Sequence, residues 1–166
     1  MCTWLLEFSE QTPWMQTGEQ TGGASCNMVV RKSDFLEEGG FPEAYQPGED
    51  TVLFAKLRNK GLQQWFVSSA RVDHFNHSGF LPFYRQMRKL GYQSAQVRQR
   101  LPLKGALATR IRLLAFTMWV PKFTIIFYRV MREGPKSMLR ALYYSPGILV
   151  GSCIWTSGFI SRVYKN

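Results

Sequence analysis

The chain has 166 residues, 45% of them hydrophobic and 19% charged, enough for one domain with a sizeable core and unlike a disordered chain. A net charge of +10 points toward anionic partners: nucleic acid, an acidic membrane surface or a phosphorylated substrate. Cys2, Cys26 and Cys153 lie far apart without CxxC spacing, which argues against a structural zinc site and for a reducing compartment.

Residues 4–8 form a short apolar stretch interrupted by Glu7 and without a basic segment ahead of it, so no signal peptide is expected. A polar loop follows through Pro13 and Gly18 to Gly22-Gly23. The run ASCNMVVR at 24–31, β-branched at Val29 and Val30, predicts a strand. Ser33 or Asp34 is placed to cap a short helix over 35–38 that Gly39-Gly40 ends. A second helix is expected from Glu49-Asp50, with Val52, Leu53, Ala55 and Leu57 on its buried side and Gly61 closing it. Its first-turn carboxylates suit the positive end of the helix dipole. Two short strands, about 64–67 and 70–75, then precede a helix from about Pro82 to Arg98. Strands and helices interleave, so the expected class is α/β.

The character changes past Leu101. Nine of the eleven acidic residues lie in the first 50, and only Asp73 and Glu133 follow. Residues 113–128 are apolar apart from Lys122, and Arg129, Arg132, Lys136 and Arg140 come next. From Ala141 to Ser161 no residue is charged, a length sufficient for a ~30 Å hydrocarbon core if helical. Pro146, Gly147, Gly151 and Gly158 weaken that span and leave a re-entrant hairpin as the alternative. Arginines flank 113–128 on both sides, which disfavours a simple crossing there. The expectation is an interfacial helix at 107–132, then a hairpin or span at 141–161, with Trp119 and Trp155 at headgroup depth. Two ordinary helices covering a soluble core are the other reading.

Four segments, in order, carry a family resemblance: Leu6-Glu7-Phe8-Ser9; Gly23-Ala24-Ser25-Cys26-Asn27-Met28; Gly39-Gly40-Phe41-Pro42-Glu43 followed by Gly48-Glu49-Asp50-Thr51; and Ala70-Arg71-Val72-Asp73-His74. Together they resemble the C-terminal, acceptor-side half of a family-2 glycosyltransferase of the GT-A fold, over about residues 4–100. The tail, with Pro146-Gly147-Ile148-Leu149, Trp155 and Gly158, is similar to the membrane-proximal end of some bacterial members. The resemblance implies an α/β class, the C-terminal portion of a GT-A (nucleotide-diphospho-sugar transferase) fold followed by membrane-associating helices. Residues 1–101 would be the acceptor-side half of the catalytic domain and 102–166 a basic, apolar helical tail.

By the same resemblance Asp50 is the base that takes a proton from an acceptor hydroxyl in an inverting displacement, and Glu49 orients it or binds the acceptor. Taken alone, the pair reads as a favourable first helical turn. Asn27 would lie beneath the donor sugar, or else simply enter the core among small residues. Arg85 and Arg88 would contact a diphosphate or anionic lipid, against a default of a solvated helix face. His74, with His77 nearby, would complete a metal site or else be a hydrogen-bonded strand-end histidine. A divalent ion, Mg2+ or Mn2+, is expected mainly through a nucleotide-binding half. The aspartates are Asp34, Asp50 and Asp73, so there is no Asp-x-Asp. A truncated or split reading frame, an unpaired sheet edge and a chain inactive by itself are therefore expected.

The implied partners are a nucleotide-sugar donor, a glycan or lipid-linked acceptor and the membrane surface, with no nucleic acid. The implied location is the bacterial inner membrane, catalytic part cytoplasmic, and the implied process is cell-surface glycan (polysaccharide) synthesis. Gln86-Met87-Arg88 is not the Gln-x-x-Arg-Trp of processive synthases. The alternative class is a non-catalytic membrane-binding or assembly module on a glycosyltransferase-like scaffold. Nucleic-acid binding rests on net charge alone and ranks last.

Overall fold

A computed structural model describes residues 2–12, 15–45, 48–75, 79–131 and 135–165. Among the described residues 65% are helix and 4% strand, with one two-stranded sheet. This overturns the expected α/β class and with it the GT-A fold. The reason is visible at the strands. Segments 24–31 and 70–75 form no strand, with a single 3-10 turn at Ser25–Asn27, and Val29 and Val72 stand 100% and 54% exposed. β-Branched residues make a strand only against a pleated, half-buried neighbour surface, and these two lack one.

Contacts divide the chain into two compact units, Glu10–His74 and Met1–Ser9 with Phe75–Asn166. The composition change near 101 does not coincide with that division.

In the Glu10–His74 unit, β1 (Gly18–Gln20) pairs antiparallel with β2 (Gln64–Phe66), Glu19 opposite Trp65. The short helix α2 spans Lys32–Glu37. It begins at Arg31 rather than at a Ser33 or Asp34 cap, and no side chain caps it. The longer α3 spans Glu49–Asn59 and buries Val52, Leu53 and Leu57, a one-sided stripe at helical spacing. Its end follows the chemistry of Gly61, at φ +83. Leu62 N–H reaches Leu57 O at 3.2 Å and Gly61 N–H reaches Arg58 O at 2.9 Å, a paired closure that needs the left-handed backbone glycine adopts freely.

The other unit is helical: α1 (Cys2–Phe8), α4 (Phe80–Arg100), α5 (Leu107–Arg110), α6 (Arg112–Ala115), α7 (Trp119–Met131) and α8 (Pro135–Val163). Helix α8 packs against α4, α7, α1 and α6. Ala95, Ala108, Ala115, Trp155, Phe159 and Val163 form the core, with Leu90, Met118 and Ile160 against it. Close approach decides the α4–α8 crossing. A Cβ at Gly91 would lie 1.8 Å from Trp155 O, and one at Gly158 would lie 1.9 Å from Arg88 O, so only glycine fits at either place.

Pro146 lies inside α8 and has no N–H for Leu142 O, four residues back. Ser145 Oγ donates to that carbonyl instead, at 2.8 Å, a local compensation that keeps the helix continuous. Among the described residues the stretch Arg112–Met131, not 141–161, is the helical segment long and apolar enough to cross a membrane, with mean hydropathy 1.3. The Gly, Ser and Thr residues that let α8 pack closely also lower its hydropathy. Leu113, Phe116, Ile125 and Tyr128 are exposed along the candidate span.

Candidate functional site

The start of α3 gathers the carboxylates that the sequence singles out. Asp50 sits in the first turn, half-buried, and two backbone N–H groups aim at it. Ser25 N–H donates to Oδ2 at 3.3 Å, and Thr51 N–H donates to Oδ1 at 2.7 Å. Thr51 Oγ1 stands 3.4 Å from the same Oδ1. Both donors and the positive end of the helix suit a carboxylate at this place. Glu49, beside it, accepts Gly48 N–H through Oε2 at 2.8 Å. It is folded back onto its own turn while Asp50 reaches across to another segment.

That other segment is the glycine- and serine-rich run 23–28. Asn27 is exposed, and its Nδ2 donates to Ala70 O at 2.9 Å. Three of the sequence segments, 23–28, 48–51 and 70–74, are thus joined through Ser25, Asp50, Asn27 and Ala70. The bond from Asn27 runs to a backbone carbonyl and not into a buried small-residue core. Ser25 was not singled out by the sequence. Its small side chain two residues before Asn27 is the one signal that its backbone comes close to another group.

Further clips hold the approach to α3. Lys60 Nζ lies 2.8 Å from both Glu37 Oε1 and Glu38 Oε1, and Lys56 Nζ donates to Glu38 O at 2.8 Å. The Lys60 hydrogen bond holds the Glu38 carboxyl below its ordinary pKa, with the charges of Lys60 and Lys56 adding to it. In return the bonds from Glu37 and then Glu38 raise the Lys60 ammonium above its ordinary value. Arg58 Nη1 donates to Thr21 O at 2.7 Å, tying the last turn of α3 to the end of β1.

His74 ends the same unit, exposed, and its expected neighbour His77 lies outside the described residues. Among the described residues no three His, Cys, Asp or Glu side chains come together to hold a metal ion. No step below passes through a metal. Arg85 and Arg88 belong to the helical unit, on α4, where Arg88 Nη1 lies 3.5 Å from Tyr84 Oη.

No protein-family model, curated protein or solved structure matches the chain.

Proposed function

We propose that this chain supplies the acceptor-side carboxylate of a glycosyl transfer carried out at a membrane. The observation that supports the reading is the position of Asp50, in the first turn of α3, accepting from Ser25 N–H and Thr51 N–H. It draws on the resemblance of the segments that meet there, and not on the GT-A fold, which the helical structure has removed.

In this mechanism Asp50 takes the proton of an acceptor hydroxyl as that oxygen attacks the anomeric carbon of a nucleotide-diphospho-sugar. The bond from the anomeric carbon to the diphosphate oxygen breaks, and the diphosphate leaves with the electron pair. Attack from the face opposite the leaving group inverts the anomeric centre. Glu49 stiffens the turn that carries Asp50 through its bond to Gly48 N–H, and Asn27 holds the Ser25 segment against Ala70. Membrane association is supported by the apolar stretch Arg112–Met131, whose flanking arginines suit an anionic surface.

The test is nucleoside diphosphate release from a panel of nucleotide sugars by the full chain in nanodiscs, with a separately supplied Asp-x-Asp nucleotide-binding half and a membrane glycolipid extract as acceptor. Release that falls by about 10²–10⁴-fold in Asp50→Asn is the expected result. Equal release by the wild type and Asp50→Asn would overturn the role of Asp50. The second reading, a non-catalytic membrane-binding module, is favoured by the same exposed stretch. It predicts vesicle binding with no release from any donor.

A further inference from the structure

The outer face of α4 carries Arg85, Arg88, Lys89 and Tyr92 at i, i+3, i+4 and i+7, a spacing that stacks them along one side of the helix. Its opposite face is buried through Met87, Gly91 and Ala95. Tyr84 and, from the end of α8, Lys165 complete an open groove of about 540 Å³ around these cations. Like charges one turn apart destabilise a helix unless something opposes them. Among the described residues, none of Arg85, Arg88, Lys89 and Lys165 has a carboxylate within ion-pair distance. The sequence explains why: Glu133 is the one acidic residue after Asp73.

We propose that this groove binds the phosphate headgroup of an anionic bilayer lipid. Charge complementarity names a phosphate. The surroundings name its source. Phe80 and Leu81, in the first turn of the same helix, are 69% and 54% exposed, so apolar surface adjoins the cations as acyl chains adjoin a headgroup. Tyr84 and Tyr92 bring rings with a polar tip, the side chains suited to the level between headgroup and hydrocarbon. The Arg162 guanidinium lies 5.6 Å from the Tyr92 ring centre and keeps that ring in place from the α8 side. The same unit holds the candidate span Arg112–Met131. The proposal deepens the membrane part of the reading above and does not depend on the transfer chemistry of Asp50.

Flotation of the full chain with phosphatidylcholine vesicles, with and without phosphatidylglycerol, tests it. The variant Arg85→Gln/Arg88→Gln/Lys89→Gln is compared with a charge-matched control, Arg31→Gln/Lys32→Gln/Lys104→Gln, at exposed positions outside the groove. The groove variant is expected to lose about tenfold or more of its partitioning to phosphatidylglycerol vesicles, with the control near wild type. Equal losses would show that only net charge matters and would overturn the groove; so would an unchanged groove variant. Inorganic pyrophosphate that displaces the chain from the vesicles in a groove-dependent way would reassign the site to a soluble ligand and overturn the lipid. Circular dichroism melting checks that the variants fold. Should the triple variant fail to fold, Lys89→Glu and Lys165→Glu, both at exposed positions, serve the same comparison. Asp50→Asn floats like wild type if the two readings are independent, so failure of either is distinguishable.

Discussion

Ser25 and Asp50, 25 residues apart in sequence, meet through a single hydrogen bond from backbone N–H to Oδ2 at 3.3 Å. Asp50→Asn keeps one oxygen, for either Ser25 or Thr51, and sets its amide NH2 against the other N–H, so it removes one hydrogen bond as well as the charge at the helix terminus. A loss of about 0.5–1.5 kcal/mol for the bond and about 0.3–1 kcal/mol for the charge is expected in the stability of the Glu10–His74 unit, measured by urea denaturation followed by tryptophan fluorescence. Product release in the complemented assay falls by orders of magnitude. If activity falls no further than the loss of folded protein accounts for, Asp50 is a helix-start residue and no more.

Asn27→Ala removes the bond to Ala70 O. The site is exposed, so water replaces the lost donor and the cost lies near the low end of about 0.5–1.5 kcal/mol. Hydrogen exchange is the measurement. Amides near Ala70 are expected to exchange faster in the variant while those within α3 are unchanged. Unchanged exchange near Ala70 would mean that the Asn27 bond does not hold that segment.

The Lys60 pairs give the Glu10–His74 unit a defined pH window. Glu38 has its folded pKa lowered from 4.5, so its contribution is present above that value and is lost as pH falls through the lowered one. Lys60 has its folded pKa raised from 10.5, so its contribution is present below that value and is lost as pH rises through the raised one. Stability from these groups is flat in between. Lys60→Gln is expected to flatten both flanks of the denaturation midpoint plotted against pH, with added salt doing the same more weakly. Flanks that persist in Lys60→Gln would assign the pH dependence to other groups.

Part of this architecture is legible in the sequence. The start of α3 at Glu49 and its closure at Gly61 follow from first-turn carboxylates and a C-terminal glycine, and the helix over 80–100 needs only its apolar period. The short β2 is also where the pattern places it. Its partner β1 is missed because Gly18-Glu19-Gln20 has no β-branched or aromatic residue to signal a strand. The α/β class fails for a related reason. Val29-Val30 and Val72 carry strand propensity, but propensity is realised only against partner strands. At the site, Asp50 and Asn27 could be named from sequence, whereas Ser25 acts through its backbone, which no side-chain pattern reports. The groove on α4 shows in the spacing of Arg85, Arg88 and Lys89, but Lys165 joins it only through the packing of α8.

That packing rests on Gly91 and Gly158. A Cβ at either would lie within 2 Å of a backbone oxygen on the facing helix, and the backbone cannot yield as a long side chain can. Gly91→Ala is therefore expected to force α4 and α8 apart, at about 1–3 kcal/mol or more. Gly18→Ala, where nothing lies within 4 Å, is the control with little effect. Thermal unfolding in detergent followed by circular dichroism at 222 nm compares the two.

Lys122 is the one charged residue among the apolar positions 113–128, and its ammonium is turned toward the protein. Nζ donates to Leu6 O at 2.9 Å and lies 5.3 Å from the centre of the Trp155 ring. The carbonyl and the ring's negative face both favour the cation, which keeps a charge off the surface that would face lipid. Arg129 Nη1 donates to Ser9 Oγ at 3.0 Å two turns further on, so α7 holds α1 at Leu6 and the residue that follows α1 at Ser9. Lys122→Met fills similar space without either polar contact. It is expected to loosen α1, seen as faster hydrogen exchange and tryptic cleavage near residues 5–9, while vesicle partitioning holds or rises because the stretch becomes more apolar. A fall in partitioning with α1 still protected would mean that Lys122 serves the lipid surface rather than the helix contact.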